Sequence, residues 1–150
     1  MQIPVARPEI REVTERVHGD EKHIRAVIQG AGRVASGEAN ERIDSPATFR
    51  TAANATINAI EKLLDHRIEV RLDDAATFRF GAREVLLVVV TAQVEDREET
   101  FVGASFVGAR PSDAAARATL DALNRRIYNL TIQTPRQADE EEPIETFGKN

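Results

Sequence analysis

The sequence predicts an α+β fold made of duplicated βββα units, an antiparallel sheet with two helices packed on one face. Three observations point there. A helix-like stretch is written twice: Ala52-Ala53-Asn54-Ala55-Thr56-Ile57-Asn58-Ala59-Ile60 returns 63 residues later as Ala115-Ala116-Arg117-Ala118-Thr119-Leu120-Asp121-Ala122-Leu123, with five of the nine positions identical. Each copy follows a start signal, Ser45-Pro46 and Pro111-Ser112, and each is preceded by a series of extended segments. The longest apolar run, Val85-Leu86-Leu87-Val88-Val89-Val90, is β-branched and short, the mark of a buried strand. A repeated element implies a repeated unit.

The elements follow in order. Residues 1–9 hold two prolines and little apolar content and read as an arm. Ile10 to Val17 is a strand, closed by the turn His18-Gly19-Asp20. His23 to Gln29 is the next, with Ile24, Ala26 and Ile28 on one face. Gly30-Ala31-Gly32 turns the chain into a third strand, Arg33 to Ala39, where Gly37 marks a bulge or a close approach. Helix one starts at Ser45-Pro46, since Ser suits the N-cap and Pro the first helical position. Its apolar stripe runs Phe49, Ala52, Ala53, Ile57, Ile60, Leu63 and Leu64, a 3.6-residue period, and Asp65-His66 ends it. Arg67 to Phe80 alternates, with Ile68, Val70 and Leu72 inward and Glu69, Arg71 and Asp73 outward. Glu84 to Glu95 is a central strand expected to be buried on both faces. Glu99 to Val107 is the last strand, anchored by Phe101 and Phe106. Helix two runs from Ser112 to about residue 129, with Ala116, Leu120, Leu123, Ile127 and Leu130 on its apolar face. The second unit thus repeats the first, giving one domain over 10–130 (repeats 10–65 and 66–130) with pseudo-twofold symmetry and a six-stranded layer. Residues 131–150 form an acidic tail.

Composition narrows the function classes. The chain has no cysteine, which excludes disulfides and thiolate metal sites. No apolar run approaches the ~20 residues of a membrane span, so a cytoplasmic protein is expected. Net charge is −5, of which −3 lies in residues 135–150, leaving a nearly neutral body with no general pull on nucleic acid or anionic membrane. The run Val85 to Val90 is expected to present Leu86, Val88 and Val90 to the face away from the helices, as the contact of a homodimer. Ile144 and Phe147 are the natural anchors if the tail meets a protein partner.

The second unit resembles a known family. Asp74 to Val85 is similar to a strand, glycine-containing loop and strand in the regulatory domain at the C-terminus of 2-isopropylmalate and citramalate synthases, where βββα units are duplicated. Gly103 to Asn124 resembles that domain's glycine-rich strand, its Asp near a helix start, and its closing helix, here ending Ala122-Leu123-Asn124. The resemblance covers residues 10–130. It implies a dimeric domain that binds an amino-acid end product near the dimer interface. Gly81 and Ala82 match the glycine loop, and Gly108, Ser112 and Asp113 match the second helix start; the resemblance makes these the ligand-binding candidates. A helix start with free N–H groups holds a carboxylate well, which suits Ser112 and its neighbours. Ile43-Asp44-Ser45-Pro46-Ala47 departs from the family's glycine-proline opening, and no catalytic barrel precedes the domain, so a stand-alone copy is expected.

Reaction chemistry finds little footing. His18 and His23 flank a turn, and no histidine pair shows helical metal-ligand spacing; His66 suits a helix C-terminus. The adjacent acids Asp73-Asp74 and Glu98-Glu99 point to opposite faces of their strands and serve better as edge charges than as a catalytic pair. Ser36, Ser45, Ser105 and Ser112 have no evident histidine partner, and the glycines at 30, 32, 37, 103 and 108 complete no phosphate-loop pattern. The expectation is therefore a non-catalytic, self-associating regulatory or interaction module that binds a small anionic metabolite such as an amino acid, with no cofactor or metal. Two rivals remain. Residues 46–130 read α-β-β-β-α, the order of a double-stranded RNA-binding domain, but they hold 11 Lys+Arg against 12 Asp+Glu and a single lysine, Lys62, where RNA needs concentrated cations. The other is a small enzyme whose site lies at a subunit interface.

Overall fold

The computed structural model describes residues 7–124 and 126–127. Within them lie β1 (Glu9–His18), β2 (Glu21–Gly30), β3 (Arg33–Arg42), α1 (Thr48–Leu63), β4 (Ile68–Phe80), β5 (Arg83–Val94) and β6 (Arg97–Phe106), followed by α2 over residues 111–124 and 126–127. The fold is α+β, with duplicated βββα units. The acidic tail, with Ile144 and Phe147, and most of the N-terminal arm lie outside the described residues.

The strands do not join into one six-stranded layer. They form two antiparallel three-stranded sheets, β1-β2-β3 and β4-β5-β6. The helices bind the two sheets into one body. α1 packs on β2 and β3 of its own half and on β4 of the other. α2 starts against β1, where Arg110 donates to the Val13 carbonyl at 2.7 Å and the Ser112 hydroxyl donates to the Glu15 carboxylate. Residues 46–130 therefore do not stand apart from the first three strands. Among the described residues the exposed helix positions are Arg50, Asn54, Asn58 and Lys62 on α1, and Pro111, Arg117 and Asp121 on α2. A helix covered by its own sheet and by a strand of the other half leaves little of its surface for water.

The halves repeat one another contact by contact. Gly37 in β3 and Gly103 in β6 each lie directly under a helix. A Cβ at Gly37 would sit 2.8 Å from the Asn58 carbonyl carbon and closer still to Ala55 O and Ala59 N. One at Gly103 would sit 2.9 Å from Ala122 Cα and closer still to Ala118 O and Ala122 N. Gly37 pairs with Ala26 and Gly103 with Val88. Thr56 and Thr119, both fully buried, each donate to the carbonyl four residues earlier, Ala52 and Ala115. Register breaks interrupt β1 between Ile10 and Glu12 and β4 between Leu72 and Asp74.

α1 begins later than the Ser45-Pro46 signal predicts. Ser45 Oγ accepts from Ala47 N at 3.1 Å, folding the preceding turn instead of capping the helix. At the other end, Asp65 and His66 are consecutive residues in the left-handed region, φ 53° and 59°. Such backbone costs about 1 kcal/mol or more for each non-glycine residue. Arg33 holds the joint, with two hydrogen bonds to the Asp65 carboxylate and one to Leu63 O, all 2.9 Å. These bonds hold the Asp65 carboxyl below the usual carboxylate range.

The core is one cluster drawn from both sheets and both helices, including Ile24, Ile28, Ile60, Leu86, Val88 and Leu123. Burying each such side chain contributes about 1.5–3 kcal/mol. Membership in this cluster corrects the interface expectation. Leu86, Val88 and Val90 are 0% exposed and point at the helices. The alternate residues Val85, Leu87 and Val89 carry the other face, and they are only half-buried. β5 is thus covered on one face and open on the other. An unbroken apolar run contains no alternation from which the inward parity can be read.

Candidate functional site

The start of α2 gathers the sequence candidates only in part. Ser112 is 1% exposed, and its hydroxyl is committed to Glu15. Asp113 lies 3.6 Å from Arg110. A cavity of about 570 Å3 opens beside them, lined by β1 residues 10–15 with Arg110, Asp113 and Arg117. Of its charged groups, Arg110 bonds the Val13 carbonyl and pairs with Asp113, and Arg117 Nε donates to Ser105. At this helix start, a favourable place for an anion, the Ser112 hydroxyl already bonds the chain's own Glu15, and the N–H groups of Asp113 and Ala114 bond Arg110 O. Gly81 and Ala82 sit exposed in the β4–β5 turn, and Gly108 is exposed with open space around it; none of the three lines that cavity.

Other polar groups form structural networks. Thr91 Oγ1 donates to Asp73 and lies 3.1 Å from Thr100 Oγ1, while Arg71 bonds Asp73 at 2.9 Å and reaches Glu98 at 3.7 Å. The Thr91 hydroxyl first, and Arg71 second, hold the Asp73 carboxyl below its ordinary value. Asp74 turns the other way, to Arg50 of α1. The His18 and His23 rings meet edge to face with centroids 5.3 Å apart. Among the described residues no group of three or more His, Asp or Glu converges as a metal site, and no helix is long and apolar enough to cross a membrane.

The feature that sequence reasoning misplaced is the outer face of β4-β5-β6. Its residues pair across the strands in rows: Phe78, Val85 and Phe106; Ala76, Leu87 and Ala104; Asp74, Val89 and Val102. Phe78, Phe80, Val102 and Phe106 are about half exposed or more. Two charged residues stand at these rows: Asp74, the register partner of Val89, and Arg83, whose guanidinium lies 4.7 Å above the Phe106 ring. The register makes the matching rows of the first half easy to identify: Arg16, His23 and Asn40; Thr14, Arg25 and Glu38; Glu12, Val27 and Ser36. One half is mostly charged or polar where the other is mostly apolar.

Each of the four edge strands, by contrast, carries a side-chain bond to its backbone. The helices or their flanks supply one side chain to a backbone group of each edge strand: Arg110 to Val13 O in β1, Asn58 to Glu38 O in β3, Glu61 to Val70 N in β4, and Asp121 to Ala104 N in β6. Bonds of this kind blunt an edge against added strands. No protein-family model and no curated protein matches the chain.

Proposed function

We propose that this chain is a non-catalytic interaction module whose contact surface is the outer face of β4-β5-β6. One observation carries the reading: eight of the nine residues in three rows are apolar there, Asp74 being the ninth, while the corresponding rows on β1-β2-β3 are mostly polar. Solvation alone would select polar side chains on both faces, as it does on the first. A contiguous apolar patch on a soluble surface marks a place where another surface sits. The resemblance to synthase regulatory domains agrees with a module that acts by association. The metabolite part of that resemblance draws less support, because Ser112 is buried and its hydroxyl is bonded to the chain's own Glu15.

The test compares a tagged full-length chain with its Val102→Glu variant, each recovered from the cells that make the protein. Val102 is 62% exposed, so a charge there leaves the fold alone and disturbs only what covers the patch. The unsubstituted chain should retain a stoichiometric partner, itself or another protein, that the variant loses. Equal recovery by both would refute the reading.

A further inference from the structure

We infer that the outer face of β1-β2-β3 holds a binding site for a small phosphorylated compound that carries hydroxyl groups. The site lies on the other sheet from the apolar contact face and does not depend on it. A cavity of about 420 Å3 opens here, lined by Glu12, Thr14 and Arg16 of β1, His23 and Arg25 of β2, and Glu38 of β3. That volume falls within the ~300–1,000 Å3 of small-molecule sites. Residues two apart on a strand share a face, and the register sets Arg16 opposite His23 and Thr14 opposite Arg25. The four form a square, with the arginines on one diagonal and Thr14 and His23 on the other. Diagonal neighbours stand about 7–8 Å apart, within reach of long side chains.

The fold does not ask for these charges. In the twin sheet the places of Arg16, His23 and Arg25 hold Phe78, Val85 and Leu87. Solvation alone is met by neutral polar residues, such as Ser36 and Asn40 on the same face. Like charges side by side repel, and a bound anion turns that repulsion into attraction. Arg16 has no ion-pair partner among the described residues. Arg25 reaches Glu38 only at 4.0 Å, with both side chains about half exposed or more, and such a pair is weak enough to open. A single guanidinium satisfies a carboxylate through its two-pronged fork; two, approaching from different sides, suit the three free oxygens of a phosphate monoester. Ionised Glu12 and Glu38 accept hydrogen bonds and donate none, so the remainder of the ligand brings hydroxyl donors to them. The same two carboxylates close the face to a nucleic-acid strand, whose successive phosphates would meet them.

Calorimetric titration of the purified full-length chain with ribose 5-phosphate, inorganic phosphate and ribose, at fixed ionic strength, tests this directly. Ribose 5-phosphate should saturate a single site per chain. Inorganic phosphate should bind about tenfold more weakly, for want of the hydroxyl contacts, and ribose should give no saturable heat. Arg16→Gln and Arg25→Gln should each weaken both phosphate probes by about tenfold or more, since each removes a charged donor from the anion. Glu12→Ala should weaken ribose 5-phosphate and spare inorganic phosphate, which loses only a repulsive neighbour. Arg97→Gln, an exposed cation on the other sheet, should change neither. The His23 ring signals in NMR should move with both phosphate probes and stay in place with ribose. Circular dichroism confirms that each variant is folded. No saturable heat from either phosphate probe, or losses in Arg97→Gln equal to those in Arg16→Gln and Arg25→Gln, would overturn the inference. Equal weakening of both phosphate probes by Glu12→Ala would overturn its hydroxyl part.

Discussion

Substituting either strand glycine beneath a helix should be among the most damaging small changes available to this fold. Neither Gly37 nor Gly103 has a positive φ, so alanine meets no backbone strain and its effect is purely steric. The added methyl would meet helix backbone at 2.8 Å or less at Gly37 and 2.9 Å or less at Gly103, against 3.4 Å for ordinary contact. Backbone atoms cannot rotate aside as a flexible side chain does, so the helix must lift off its sheet by more than half an ångström and loosen the Ile57–Ile60 or Leu120–Leu123 packing. Overpacking a core costs about 1–3 kcal/mol, and with backbone as the obstacle the upper end applies, about 3 kcal/mol. At ~2–4 °C per kcal/mol for a chain of this size, Tm falls by about 10 °C. The double variant would lose about 6 kcal/mol if the two effects add, much of a typical domain's ~5–15 kcal/mol. Thermal unfolding followed by circular dichroism reads all three, with Gly108→Ala, in open space, as the neutral control. Gly37→Ala and Gly103→Ala unfolding within 2 °C of the unsubstituted chain would show that the helices do not lie where the structure puts them.

His66→Gly should raise stability by up to about 1 kcal/mol, since glycine adopts the left-handed backbone at the α1–β4 joint without penalty; a fall in Tm would contradict this. Thr91→Val removes the main support of the Asp73 carboxylate. Because the folded value of Asp73 is depressed, its contribution is present above the unfolded value near 3.9 and is lost as pH falls through the folded value. The variant's Tm should therefore drop less between neutral pH and pH 3 than that of the unsubstituted chain, and the Asp73 carboxyl should titrate higher by NMR. Glu15→Ala removes the carboxylate that Ser112 bonds beside the α2 start, so sulfate should raise the Tm of this variant more than that of the unsubstituted chain; equal shifts would show that Glu15 does not keep anions from the helix start.

What could be read from the sequence was local or periodic. The paired Ala-Ala-x-Ala-Thr stretches became α1 and α2, the turns at Gly19 and Gly32 closed hairpins, and Gly37 marked a close approach. What could not be read was set by contacts distant along the chain. Ser112 meets Glu15 across 97 residues, and nothing near Ser112 announces that its hydroxyl has a carboxylate already. Two sheets instead of one follow from each helix reaching over to the other half's first strand, a choice no local pattern encodes. The inward parity of β5 was hidden in Val85–Val90 because every residue there is apolar; only the glycine opposite Val88 reveals it, since Gly103 must lie beneath a helix.

The duplication has a consequence for how one side of the molecule came to differ from the other. A half-length chain pairing with its twin would wear identical coats on its two exteriors, adhesive on both or on neither. Fusing the twins into one polypeptide broke that obligation. Arg16 and Phe78, or Arg25 and Leu87, occupy matching places yet are free to follow separate histories, so one exterior stays wet while the other is available to stick.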